Sequence, residues 1–290
     1  MEKIAFLFLI INNPHFPKIW DSYFRGKKDQ YNLYIHPKYP NETTWKRSHI
    51  VSTQVETEWG FIVRAYIELL REAYKNKENV KFVTISESDV PIQSFDQFYD
   101  DSMSDPRSWI KFMKIKKYNW VERINKQPKK GRPPHFIKHY ARFCLNREHV
   151  GQLLKKSNEE QLAFFSKMHV GDEFFLSTIA PIHNVRNFAV TFDDWEYVQQ
   201  LGKKIKDEKR LVYENQEKSG KNRSQKLREL QNEYNRLMKN PKTITDVEPD
   251  LEKIKKCNSY FYRKFSKESN IADYWKEIIK YKKNQKKSLN

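Results

Sequence analysis

The stretch His169-Val170-Gly171-Asp172-Glu173-Phe174-Phe175-Leu176-Ser177-Thr178 sets two adjacent carboxylates behind a glycine and ahead of an apolar, helix-like run. Asp172 suits a helix N-cap or first turn, where it accepts backbone N–H bonds and complements the helix dipole. Glu173 is then carried at the start of a rigid element, where a general base for a substrate hydroxyl can be aimed. The same pair also serves simply as a helix cap, so its meaning depends on what else the chain brings to it. Trp195 and Tyr197 stand two residues apart, which in an extended segment puts both rings on one face. Arg263 and Lys264 are adjacent cations inside the aromatic run Tyr260 to Phe265; the alternative is ordinary surface charge.

The elements that must position these residues read as a mixed α/β chain. Ile4 to Ile11 is a buried parallel strand. An amphipathic segment, Phe16 to Phe24, leads to a second strand, Tyr31 to His36, stopped by Pro37. Strand, helix and strand at this spacing make a βαβ unit. A helix is expected over Glu58 to Tyr74, with Glu58-Trp59-Gly60 capping it, then a strand over Val80 to Ile85 ending in Ser86-Glu87-Ser88-Asp89-Val90-Pro91-Ile92. In open α/β sheets ligands sit beyond the carboxyl ends of the strands. Three such ends deliver polar residues: Asn12 and Asn13, His36, and Ser86 to Asp89. Further strands are expected over Trp109 to Ile115, Tyr140 to Leu145 and Asn187 to Phe192, and a helix over Arg147 to Leu154. Lys116 to Lys138 reads as a basic mobile loop over a cleft. From Lys203 to Asn240 charge dominates, and Leu227, Leu230, Tyr234, Leu237 and Met238 recur at three- and four-residue steps. That pattern is a long amphipathic helix or helical hairpin broken near Ser219-Gly220, suited to packing, partner docking or a homodimer. A last helix and a lysine-rich tail, Lys280 to Asn290, close the chain.

The 290 residues suffice for a substantial core. Hydrophobic residues make up 38% and charged residues 32%, so much of the sequence is solvated surface, while 14% aromatics argue for a packed body. With only 7 Gly, a glycine-rich phosphate loop of the Walker or dinucleotide type is excluded. The net charge of +18 favours anionic partners, or else a lysine-rich solvated surface. Cys144 and Cys257 form no disulfide framework and no metal cluster; Cys144, in an apolar run, reads as a core thiol. The eight apolar residues from Ile4 are too few for a membrane helix and lack a cleavage site. The expectation is therefore a soluble, cytoplasmic protein.

Taken in order, Phe6-Leu7-Phe8-Leu9, Tyr34-Ile35-His36-Pro37, Phe82 to Ile92 with its Ser-Glu-Ser and Pro-Ile, Phe143-Cys144-Leu145-Asn146-Arg147-Glu148, Asp172-Glu173, Trp195-Glu196-Tyr197 and Arg263-Lys264-Phe265 resemble the core-2/I-branching glycosyltransferases, glycosyltransferase family 14, and most of all their plant-type members. The resemblance spans roughly residues 3–266. It implies a GT-A-type fold with a nucleotide-sugar half over 1–100, an acceptor half over 101–200, a helical insertion over 203–240 and a C-terminal helix and tail over 267–290. It implies inverting transfer of a sugar, xylose or N-acetylglucosamine, from a UDP-sugar to a glycan hydroxyl, with Glu173 as base.

Most GT-A enzymes neutralise the leaving diphosphate with a metal held by Asp-x-Asp. No two aspartates of this chain are separated by one residue, and the family is similar in using basic side chains instead. The resemblance thus implies no metal and no cofactor, with Lys264 and Arg263 as the cationic clamp. His36 is a candidate uridine contact or only a polar end of the sheet. Ser86, Glu87 and Asp89 are candidates for ribose, uracil or donor sugar. Trp195, Tyr197 and Asp172 are candidates for the acceptor. Two alternatives are a transferase-fold scaffold without activity and a basic nucleic-acid-binding protein. Against the latter, no RNA-recognition or zinc-finger signature is present and the cations are spread along the chain.

Overall fold

The structure, a computed structural model, describes residues 1–45, 49–113, 130–133, 135–179, 183–214, 221–237 and 241–287. Strand β1 (Lys3–Ile10) alternates its side chains between two apolar clusters: Ala5 and Leu7 enter one, and Ile4, Phe6, Phe8 and Ile10 the other. A strand buried on both faces explains the unbroken apolar run. Helix α1 (Pro17–Tyr23) opens on a proline, whose missing N–H costs nothing at that position. It returns the chain to β2 (Tyr31–Pro37), parallel to β1. After β3 (His49–Ile50), α2 (Val63–Lys75) buries Val63, Tyr66, Ile67, Leu70 and Ala73, the three- and four-residue spacing of one helix face. Then comes β4 (Asn79–Ser86), parallel to β1 on its other side.

The chain continues with β5 (Val90–Pro91), α3 (Phe95–Ser104), β6 (Ser108–Met113), β7 (Lys138–Asn146), α4 (Arg147–Lys156) and α5 (Glu159–Lys167). Ser94, Asn146 and Asn158 cap the three helices, each accepting a backbone N–H three residues on. There follow a 3-10 turn (Gly171–Glu173), α6 (Phe175–Ile179), β8 (Val185–Arg186) and β9 (Thr191–Asp193). Next are α7 (Glu196–Glu214), α8 (Lys221–Leu237), α9 (Leu251–Lys256), β10 (Phe261–Arg263) and α10 (Ile271–Lys287).

Seven strands form one mixed sheet in the order β3-β2-β1-β4-β7-β6-β8. β7 runs antiparallel to both β4 and β6. One face is covered by α2, α4 and α5 and the other by α1 and α3. Each large side chain buried there is worth about 1.5–3 kcal/mol. A second sheet, β5-β10-β9, has its own core with Ile244, Ile254, Ile271 and Ile278. This is the mixed α/β architecture expected from the sequence. Among the described residues no helix is long and apolar enough to cross a membrane.

Several local expectations change. α2 starts at Val63, not Glu58, because Glu58 to Phe61 closes a turn of its own, with the Phe61 N–H on the Glu58 carbonyl at 2.9 Å. Glu58 therefore caps nothing; the N-cap position is Ile62, with no side-chain bond. Asn187 to Phe192 is not one strand but the gap between β8 and β9 plus the start of β9. The helical hairpin begins at Glu196, seven residues early, because Val198, Leu201 and Ile205 already repeat on its buried side. Ser219-Gly220 and Met238 lie outside the described residues, as do 114 and 115 at the end of the strand expected over Trp109 to Ile115, 116–129 and 134 of the basic loop and 288–290 of the tail. Lys138, taken as the loop's end, is a buried residue of β7.

Candidate active site

In the sheet order, the chain leaves β1 for β2 on one side and enters β4 on the other, so the crevice at the carboxyl ends of β1 and β4 is a topological switch point. His36 and Ser86 both stand beside Leu9, on one row across the three strands. The loops leaving β1 and β4 are tied together there. The Ile11 N–H donates to the Glu87 carboxylate at 2.6 Å, and the His15 N–H to the Glu87 carbonyl at 2.8 Å. The segment after β10 joins them: the Phe265 N–H donates to the Ser88 carbonyl at 3.2 Å, and His15 Nδ1 donates to the Phe265 carbonyl at 3.0 Å. The ends of β1 and β4 and the segment that follows β10 thus meet at one place. A cavity of about 780 Å³ opens beside them, lined by Asn12, Asn13, His15, Trp45 and Lys267 among others.

Asp89 is wholly buried. Its carboxylate turns back to accept the Ser86 N–H at 2.8 Å and the Ser86 hydroxyl at 2.6 Å, closing the turn at the end of β4. Its charge is answered by two guanidinium groups, with Arg142 Nε at 3.3 Å and Arg263 Nε at 3.4 Å. The small sheet makes this possible: Val90 pairs with Tyr262, and Arg263 is the register partner of Asp193, to which its Nη1 donates at 2.9 Å. Arg142 also donates to the Tyr66 hydroxyl at 2.5 Å. Burial works against the Arg142 charge, but Tyr66, Asp89, Asp193 and Asp172 outweigh it and raise the pKa. Asp193 is pushed up by burial, against Arg263 and Arg142. A buried ion network of this kind pays its desolvation only while every member stays paired.

Asp172 and Glu173 lie on the 3-10 turn. Val170 before it adopts φ 55°, a left-handed conformation unusual for a β-branched residue. It is held there by its N–H on the Gly60 carbonyl at 2.8 Å, while its own carbonyl accepts the Glu173 N–H at 3.0 Å. Gly171 packs so closely that a Cβ would come 2.1 Å from the Phe165 carbonyl oxygen. Asp172 is 5% exposed, and its Oδ1 has no hydrogen-bond partner among the described residues. Burial, then the Glu173 charge, pushes its pKa from 3.8 up to about 7, with Arg142 and Arg263 pulling the other way. Glu173 keeps 27% of its side chain exposed and accepts from the Lys138 ammonium at 2.8 Å. Burial raises its pKa and Lys138 opposes the rise. A carboxylate on a pinned turn, partly open and tuned above the ordinary range, has the properties of a general base.

The remaining expected residues fall into two groups. Lys264 is half-buried; burial and then Arg263 lower its pKa, and Glu87 opposes them. Arg263 is committed to Asp89 and Asp193, so it acts as the wall of the site. His36 is fully buried, and its Nε2 accepts the Val55 N–H at 3.0 Å, which makes it a polar end of the sheet. Burial lowers its pKa, in keeping with the neutral ring that such an acceptor requires. Trp195 and Tyr197 do not lie in an extended segment: Tyr197 is in the first turn of α7, where residues two apart point to different sides. Its exposed hydroxyl donates to Glu233 of α8 at 2.6 Å.

Arg142, Lys138, Tyr66 and Asp193 were not singled out from the sequence as site residues. The available signal was two cations inside the otherwise buried run Lys138 to Asn146, each needing a counter-ion.

The family model described as Branch: Core-2/I-Branching enzyme matches residues 4–233. That range holds Asp89, Arg142, Asp172, Glu173 and Asp193 and ends before Arg263. Over 118 residues the chain is 31% identical to Glycosyltransferase BC10 of Oryza sativa subsp. japonica, a match covering 37% of this chain and 30% of that protein. The chain therefore spans less than a third of the length of that curated relative. Among solved structures it is similar to galactosyltransferase LgtC in complex with donor and acceptor sugar analogues. The TM-score is 0.34 and the identity 10%, over 61% of this chain and 70% of that one.

Proposed function

The chain belongs to the core-2/I-branching enzyme family of glycosyltransferases, and from that premise we propose that it moves a sugar, xylose or N-acetylglucosamine, from a UDP-sugar to a glycan hydroxyl with inversion and without a metal. The observation that carries the reading is Glu173: a partly open carboxylate of raised pKa, paired with Lys138 on the turn that also carries the buried Asp172, with the Arg142–Asp89–Arg263 network nearby. In the proposed step an acceptor hydroxyl gives its proton to Glu173 while its oxygen attacks the anomeric carbon. The carbon–oxygen bond to the diphosphate breaks on the opposite face, and UDP leaves with the electron pair. Lys264 offsets the charge that grows on the phosphate. An arriving diphosphate favours the charged ammonium, countering the burial that lowers its pKa.

Calorimetric titration with UDP, first in EDTA and then in manganese, tests this. Binding in EDTA is expected. Binding only with manganese contradicts the metal-free clamp while leaving a UDP-sugar enzyme, and no binding in either buffer contradicts the donor assignment.

A further inference from the structure

Among the described tryptophans Trp59 stands apart. Trp20, Trp45 and Trp109 are at most 7% exposed, whereas Trp59 is 57% exposed. Exposing an indole forgoes a large apolar burial, about 1.5–3 kcal/mol for side chains of this kind. The turn that carries it is nevertheless rigidly held. Gly60 needs its φ of +83°, and a Cβ there would meet the His169 ring at 3.1 Å and the Val170 nitrogen at 3.3 Å. The Trp59 ring leans on His169 at 5.0 Å between centroids, and Phe61 meets the same imidazole edge-on at 5.8 Å. Two backbone hydrogen bonds then connect this turn to the base, Val170 N–H to Gly60 carbonyl and Glu173 N–H to Val170 carbonyl, at 2.8 and 3.0 Å.

We propose that Trp59, braced by His169, is a stacking platform for a pyranose ring of the acceptor. A pyranose has an apolar C–H face and a rim of hydroxyls. An exposed indole matches the first, and Glu56 and Glu58, exposed in the segment that leads into Trp59, offer acceptors for the second. A single exposed indole next to two exposed carboxylates of the same segment is too small and too polar for the core of a protein interface, which favours a sugar over a protein partner. The assignment rests on the transferase reading only for its choice of acceptor over donor.

The test is binding of the purified full chain to an array of pyranose oligosaccharides containing β-linked xylose, N-acetylglucosamine and galactose oligomers. Wild type, Trp59→Ala and Trp59→Phe are compared. Wild type is expected to bind at least one class, Trp59→Ala at least about tenfold more weakly, as for a tryptophan hot spot, and Trp59→Phe nearly as well as wild type. Equal binding by wild type and Trp59→Ala overturns the proposal, and so does failure of wild type to bind any member. UDP affinity by calorimetry separates the two readings. Trp59→Ala is expected to keep the wild-type value; its loss moves Trp59 to the donor side and also overturns the proposal. A wild type that binds oligosaccharide through Trp59 but shows no UDP affinity removes the transferase reading and leaves the platform standing.

Discussion

Replacing Asp172 by asparagine changes the chain's stability in a pH-dependent way that the geometry fixes in sign. Asp172 is 5% exposed, one of its oxygens lacks a hydrogen-bond partner among the described residues, and its pKa rises from 3.8 to about 7. A carboxyl that holds its proton more tightly folded than unfolded stabilises the fold below about pH 4. That contribution is lost as the pH rises from 4 through 7. At about 1.4 kcal/mol per pH unit, the gap corresponds to about 4 kcal/mol. Asparagine has nearly the same shape and never ionises, so Asp172→Asn escapes this loss. Urea denaturation followed by tryptophan fluorescence should place the variant about 4 kcal/mol further ahead of wild type at pH 8 than at pH 4. The pull of Arg142 and Arg263 on the Asp172 charge is already contained in that pKa and so in the figure of about 4 kcal/mol. A stability difference that does not change with pH, or one that turns against the variant at pH 8, refutes the reasoning that burial dominates at this carboxyl.

Lys138→Met removes the ammonium that opposes the rise in the Glu173 pKa, so the acidic limb of kcat/KM for UDP-sugar turnover should move to higher pH. An unmoved limb separates Lys138 from the base. Lys264→Ala should weaken UDP binding by roughly tenfold or more, the worth of a charge-assisted contact, measured by calorimetry; unchanged affinity removes Lys264 from the donor site. Gly171→Ala forces a Cβ to within 2.1 Å of the Phe165 carbonyl oxygen. Because the neighbour is backbone, it should cost about 1–3 kcal/mol, read as a lower urea midpoint.

The large elements were legible because their signals are local. The doubly buried β1, the βαβ return through α1 and the helix face of α2 each follow from apolar spacing and from Pro17 and Pro37. The glycine ahead of paired carboxylates marks a local chain reversal at Asp172-Glu173, but it forms a 3-10 turn of its own with no side-chain cap rather than the first turn of a helix capped by Asp172. What the sequence could not show is which charges face one another. Arg142 meets Asp89 only because β7 runs antiparallel beside β4, Lys138 meets Glu173 only because the 3-10 turn packs against β7, and Arg263 is spent on Asp193 only because β9 and β10 pair in that register. Tyr197 was misplaced for a local reason. Asp194 accepts the Glu196 N–H at 3.1 Å and starts a helix where an aromatic-rich extended segment was expected.

Turnover of Glu173→Gln tests the central claim most directly. Glutamine keeps the shape and a bond to Lys138 but cannot take a proton from a hydroxyl. UDP release from UDP-xylose and UDP-N-acetylglucosamine, measured beside UDP affinity, should fall by about a hundredfold or more while affinity stays at the wild-type value. Turnover near the wild-type rate would contradict Glu173 as the base.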